Sequence, residues 1–313
     1  MNEDYSMESL GSFKIIESPL APSEPGRMRN ILTFDFEDWY QGLEIPCAEW
    51  SNYEDRLERV TNQILEMLDT ANTRATFFVL GKIAETNPRI VRRLADAGHE
   101  IGTHGYSHSL IFKMTPAQFA DELSRSLKLI EDCIGRSVIG HRAAYFSIND
   151  DSLWALDIIA EHGLSYDTSI FPIRHYRYDW TTTPRAPYIL RNAKNELVEI
   201  PISTLSILGR NVPMFGGFYL RFFPRALVRK AVKMLNNQGY PAVVYVHPWE
   251  LDPKQPKISL PYRLGLPHYW RLGSTEGKLR SLLRRFSFGP ACEILPAIGR
   301  VSPVAATEAI MAK

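Results

Sequence analysis

Cysteine is scarce in this chain. Cys47, Cys133 and Cys292 are the only three in 313 residues. Far apart and odd in number, they make neither a disulfide framework nor a CxxC metal motif. Long apolar runs are missing as well: nothing approaches the length that spans a bilayer. The opening "MNEDYSMESLGSFKIIES" has no apolar signal-peptide core. A charge excess of either sign is also absent, with 36 basic residues against 35 acidic and a formal net charge of +1. Without a basic stripe or polybasic block, neither nucleic acid nor a membrane surface is an expected partner. There is no internal repeat and no low-complexity segment. The expectation is a cytoplasmic protein without a transmembrane segment.

What remains is ordinary for a globular chain, 45% apolar and 23% charged, and long enough for one large α/β domain or two smaller ones. Residues 1–28 are polar and contain Pro and Ser, and read as a mobile lead-in. Apolar runs then alternate with amphipathic stretches. Strands are predicted over 31–36, 75–81, 99–104, 137–143, 164–169, 197–203 and 242–247. Helices are predicted over 56–68, from Pro88 to Ala97, from Pro116 to about Cys133, and from Asn149 to His162. Short, continuously apolar strands separated by helices imply a parallel sheet covered by helices. Seven such units favour an α/β fold of the (β/α) barrel kind over 29–250. Residues 251–290 form an extension, an aromatic Pro-containing loop ("PYRLGLPHYWRLGST") and a basic helix over 276–286. Residues 291–313 are a tail.

Polar and ionisable residues stand where strands end: "TFDFED" (33–38), "GTHGYSH" (102–108), "GHRAAY" (140–145), "SYDTS" (165–169) and "VYVHPWE" (244–250). In a parallel barrel that edge carries the site. His104 and His108, four residues apart, are spaced to grip one metal ion, and a strand-end carboxylate beside them completes a three-ligand set with an open position. A divalent cation explains why Asp35, Glu37 and Asp38 tolerate one another. Strand alternation favours Glu37 as the ligand, whereas a turn starting at Phe36 favours Asp38; Glu37 is preferred. Asp35 is left free to take a proton. His99 reads as a structural histidine, His162 as a helix C-terminal cation, and Cys47 as a small packed side chain. The aromatic segments 175–180 and 267–271 are candidates for a sugar groove, and the basic stretch 278–285 reads as a solvated face, with contact to a polysaccharide assembly complex as the sharper alternative.

The order TFDxED, HxxxH, RxxY and a late strand ending in His resembles the NodB-like polysaccharide deacetylases, carbohydrate esterase family four. The strings "GHRAAYFSI", "SYDTSIFPI" and "HYWRLGSTEGKLRSLLRRFSFGP" resemble a branch that accompanies bacterial exopolysaccharide loci and carries a C-terminal extension. The resemblance implies a distorted (β/α) barrel with about seven parallel strands, and metal-dependent hydrolysis of an N-acetyl group on an amino sugar. It implies Asp35 as general base, Arg142 as the group orienting it and His247 as general acid. Asp167 stands where the family places a polar residue near that acid. His104 and His108 are implied as metal ligands with Glu37 or Asp38, and Tyr145 and Trp249 as substrate contacts. The expected cation is zinc, with cobalt, nickel or manganese also compatible, and the expected partner is an N-acetylated carbohydrate. Arg142-Ala143-Ala144-Tyr145 departs from the usual Arg-x-Pro-Tyr, freeing a backbone angle at the groove wall. The alternatives are an allantoinase-like amidohydrolase acting on a small cyclic ureide, and a non-catalytic sugar-binding barrel.

Overall fold

The stretch Arg29–Phe36 becomes the pivot of the molecule because both its faces are apolar. Ile31, Leu32, Phe34 and Phe36 are all buried, and a strand covered on both sides reads as a continuous hydrophobic run. The structure is a computed structural model and describes residues 8–17 and 28–298. Parallel to Arg29–Phe36 lie Thr76–Val79 and Ser287–Gly289 along one side and Val243–Val246 along the other. The parallel run continues through Glu100–Thr103, Gly140–His141, Tyr166–Asp167 and Glu196–Glu199. Each of the seven predicted strands is therefore present; five are trimmed at both ends, the first begins two residues earlier than predicted, and that at Glu196–Glu199 begins one residue earlier and stops short. In-register pairing brings Phe36, Val79, Thr103, His141, Asp167 and Glu199 to one edge.

Among the described residues no ladder joins Glu196–Glu199 to Val243–Val246, so the barrel is distorted and open at that seam. A hydroxyl spans it instead. Ser203 Oγ accepts from Val243 N at 2.8 Å and donates to Pro241 O.

The predicted helices form with small shifts. Leu57–Thr70 buries Val60, Ile64, Met67 and Leu68 against the sheet. Pro116–Ile134 begins at a reciprocal cap, where Thr115 Oγ1 accepts from Gln118 N and the Gln118 amide oxygen accepts from Thr115 N. It stops at Gly135, whose φ of 69° lets the chain turn left-handed.

Three expectations are corrected. The lead-in contains a hairpin, Ser9–Leu10 with Phe13–Glu17, that pairs antiparallel with Tyr188–Arg191 and buries Leu10 and Phe13. Residues 1–7 and 18–27 of that segment lie outside the described residues, as does most of the predicted tail. The aromatic loop holds a helix, Tyr262–Tyr269. The basic stretch is a solvated face only in part: Arg284 and Arg285 are exposed, but Thr275–Leu283 buries Leu279, Leu282 and Lys278. The Lys278 ammonium is aimed inward and donates to the carbonyls of Leu220, Arg221 and Phe223 at 2.7–2.9 Å. Those carbonyls surround the C-terminus of the short helix Gly217–Phe222, where a cation is favoured. Burial, with help from Arg271 and Arg221, brings the Lys278 pKa down to about 8.

Candidate metal centre and catalytic cleft

Glu37 follows the pivot strand, and His104 and His108 follow Glu100–Thr103. Their ligand atoms lie within 4.8 Å of one another, and all three residues are buried. His104 Nδ1 is 2.8 Å from the carbonyl of Arg142. A carbonyl can only accept, so Nδ1 carries the proton and Nε2 keeps a lone pair for the cluster. His108 Nε2 approaches Glu37 Oε2 to 2.7 Å, yet Glu37 Oε2 and His108 Nδ1 are buried without a hydrogen-bond partner. Buried ligand atoms without partners are costly unless something satisfies them, and a cation would. Burial pushes His104 down to about 4, leaving it neutral at physiological pH as a ligand must be. Burial pushes Glu37 the other way, but His108, His247 and His104 hold it well below the carboxylate range. Trp249 Nε1 donates to Glu37 Oε1 at 3.0 Å and fixes that carboxylate.

Asp38 is not part of this cluster. One of its oxygens accepts from Trp39 N and the other from Arg56 N, both at 2.7 Å, so it organises the loop, and burial raises its pKa to about 7. The turn thus turns Asp38 away and leaves Glu37 on the face that alternation gives it.

Beside the triad, Arg142 Nη1 donates to Asp35 Oδ1 at 2.6 Å and to Thr33 Oγ1 at 2.7 Å, while its remaining nitrogens are held by the side chain and carbonyl of Thr168. This guanidinium, stacked 4.4 Å from the Phe78 ring centroid, is fully buried and rigidly placed. His247 Nε2 stands 3.8 Å from both Asp35 Oδ2 and Glu37 Oε1. Its Nδ1 is 2.7 Å from Glu250 Oε1, and Glu250 Oε2 accepts from Arg221 Nε at 2.6 Å. Burial opposes charge on His247, but the Glu250 contact, Glu37 and Asp35 outweigh it and raise the imidazole to about 9.

Glu250 and Arg221 escaped the sequence reading. Glu250 had a local signal: three residues past His247 and behind Pro248, it accepts the His247 backbone N–H as a capping carboxylate does. Arg221 had none, because the carbonyls it binds, those of Pro267, His268 and Trp270, are distant in sequence.

The resemblance places Asp167 near His247; in the structure its carboxylate is engaged by His141. It lies in the same rank as His141 and Glu199 on neighbouring strands, 2.6 Å from His141 Nδ1. Burial works against its charge, but His141 keeps it low, while Glu199 next to it is pushed well above the carboxylate range. The trio backs the segment that holds Arg142.

Tyr145 lines the cleft with its ring 4.3 Å from that of His108, and its hydroxyl accepts from Glu44 N. Tyr145 and Phe146 have φ of 55° and 53°, and His108 has 56°, so left-handed backbone is concentrated at this edge. Trp249 also lines the cleft, sandwiched between His247 and His268 with centroids 5.0 and 4.2 Å away. The segment 175–180 contributes Tyr176 and Tyr178. Cys47 lines a separate cavity of about 560 Å³ that meets the site at His108 and Tyr145. His99 accepts the Ala75 N–H, and His162 contacts the Ile158 carbonyl at its helix end.

A carboxylate–arginine pair and a carboxylate-backed histidine flank a two-His, one-Glu cluster at the strand ends. Residues 31–166 match the polysaccharide deacetylase family. Residues 168–296 match a second family, described as Domain of unknown function (DUF3473). The boundary falls inside the sheet, so the second region supplies strands and the His247 end of the site. Among curated proteins, the peptidoglycan deacetylase of Helicobacter pylori is 29% identical over 44% of this chain and 51% of its own length. The peptidoglycan-N-acetylglucosamine deacetylase of Bacillus cereus is 32% identical over 34% of this chain and 44% of its own. The chain thus spans about half the length of these relatives. Two solved structures share the fold. One, from Mycobacterium smegmatis and assigned to the polysaccharide deacetylases, is 19% identical with a TM-score of 0.56, covering 87% of this chain and 91% of that one. The other, Puue allantoinase, is 15% identical with a TM-score of 0.58, covering 92% and 96%. No helix among the described residues is long and apolar enough to cross a membrane.

Proposed function

We propose that this protein is a metal-dependent hydrolase that removes the N-acetyl group from an amino sugar of an exopolysaccharide, a peptidoglycan-like polymer or a precursor of either. The observation that carries the reading is the opposition, within one cleft, of the Glu37–His104–His108 cluster to Asp35 and His247. The donor set suits a divalent cation, zinc in preference to cobalt, nickel or manganese. When bound, such a cation supplies Lewis-acid activation of water and of the amide carbonyl.

The chain's own groups do the rest. Asp35, held by Arg142, accepts the proton of the attacking water. A backbone N–H of the strained loop at Tyr145 faces the developing oxyanion. His247 enters the cycle protonated, stabilised by Glu250, and donates from Nε2 to the departing amine. Trp249 and Tyr145 form walls for the sugar. The aromatic, open-mouthed cleft fits a saccharide better than a small cyclic ureide.

The test is acetate release from nucleotide-linked, lipid-linked and oligomeric N-acetylated sugars, with and without chelation. Chelator-sensitive acetate that disappears in Asp35→Asn is expected. A protein that holds a stoichiometric metal yet frees no acetate from any of them would overturn the reading.

A further inference from the structure

The cleft, of about 310 Å³, is lined by three arginines in different circumstances. Arg221 is committed to Glu250 and to backbone carbonyls. Arg177 is paired with Glu44 and lies between two rings, 4.6 Å from the Tyr145 centroid and 4.7 Å from that of Tyr176. Arg263 is exposed on the helix Tyr262–Tyr269 and has no acidic partner among the described residues; its guanidinium lies 5.8 Å from the ring centroid of Tyr176. Tyr176 comes from the other side of the mouth, on the hairpin formed by Arg174–His175 and Tyr178–Asp179, and is 66% exposed.

The charges of the cleft decide what this pair is for. Asp35 is matched by Arg142, Arg177 by Glu44 and Arg221 by Glu250, and the cluster at Glu37 faces histidines. Among the described residues, Arg263 alone of these is left uncompensated. A solvated surface arginine would be equally free of partners, but it would not line a catalytic cleft alongside a large exposed ring. A guanidinium resting on a ring keeps its N–H edge outward, in the fork geometry that takes two oxygens of a carboxylate or phosphate. The tyrosine ring is a rigid apolar platform with a polar tip, suited to the face of a pyranose.

We propose that Tyr176 and Arg263 form an anion-reading subsite, so that the preferred substrate is an acidic N-acetylated saccharide: a sugar packs on Tyr176 while Arg263 holds a carboxylate or phosphate on it or its neighbour. The inference rests on the deacetylase reading for the reacting group, but not for binding.

The experiment uses the metal-loaded full chain and three probes: a neutral N-acetylglucosamine tetramer, the same tetramer with C6 carboxylates, and the same tetramer with a terminal phosphate. Acetate release and direct calorimetric binding are both read, for the native chain and for Arg263→Gln, Arg263→Lys and Tyr176→Ala. One or both acidic probes should be favoured, chiefly through KM and Kd. Arg263→Gln should erase that preference, a loss on the order of 10- to 100-fold for a charge-assisted bond, and leave the neutral probe unchanged. Arg263→Lys should restore part of it, and added salt should weaken it. Tyr176→Ala should weaken all three probes alike. The carboxylate and phosphate arms identify which anion is read. Arg263-dependent binding of an acidic probe without acetate release would sink the deacetylase reading and leave the subsite standing. Equal handling of neutral and acidic probes by the native chain, a charge preference that survives Arg263→Gln, or no binding of any probe would overturn the subsite.

Discussion

Glu37 and Asp38 are adjacent carboxylates of nearly the same chemistry, separated by what each oxygen meets. Asp38 is saturated by two backbone N–H groups, whereas Glu37 faces two imidazoles and an indole. Gly42 makes room for this: a Cβ there would stand 2.7 Å from Glu37 Oε1. Gly42→Ala should therefore displace the carboxylate and weaken metal binding by roughly 10- to 100-fold, the range seen when a ligand's support is lost, without unfolding the protein. Metal content after dialysis against a graded chelator checks this, and retention equal to the native chain would rule it out. Glu250→Gln removes the charge that holds His247 near 9. The acid should then lose its proton at lower pH, so the alkaline limb of kcat/KM moves toward neutrality; an unmoved limb would refute the role. At this scale the convergence of Glu37, His104 and His108 was legible, because strand periodicity and a four-residue spacing are local facts. The choice between Glu37 and Asp38 needed the turn at Arg56, and Arg221 needed carbonyls nearly fifty residues away.

Among the elements, seven of the eight parallel strands could be read from the sequence, most directly where burial on both faces writes an apolar string, as in Thr76–Val79 and Val243–Val246. Edge pieces could not. The five residues of Phe13–Glu17 have no identity as a strand until Tyr188–Arg191 lies beside them. Lys278 misled for a different reason: in sequence it is one of several basic residues, and only packing shows that it faces inward. Its three bonds fix the helix that presents Arg221, and Arg221 in turn braces Glu250. Lys278→Met should destabilise the fold by about 1–3 kcal/mol, because buried carbonyls lose their donor, and should lower kcat more than it raises KM. Urea unfolding with parallel acetate assays is the measurement, and an unchanged midpoint would contradict the buttress.

For the whole molecule, acid acts through histidines that the fold keeps neutral. Burial, and then Arg74, hold His99 down to about 4, while burial and Arg221 hold His268 to about 3. Both are neutral in the folded chain at pH 5, where an unfolded histidine, with its pKa near 6.5, is charged. At these two histidines the unfolded state binds more protons below about 6.5, so their contribution to stability falls as pH drops from there toward 4. His99 alone should account for a loss on the order of 3 kcal/mol across that window. Chemical denaturation at pH 7 and pH 4.5 should show the gap narrowing in His99→Gln, and an identical gap would exclude His99 as its source.

The antiparallel edge has a consequence for the order in which the molecule is made. Phe13–Glu17 is translated some 170 residues before its ladder partner Tyr188–Arg191. Until then the segment has no seat. This edge strand is thus installed only after most of the parallel strands have been made, and a bulky fusion ahead of it would obstruct a late step of assembly rather than the first.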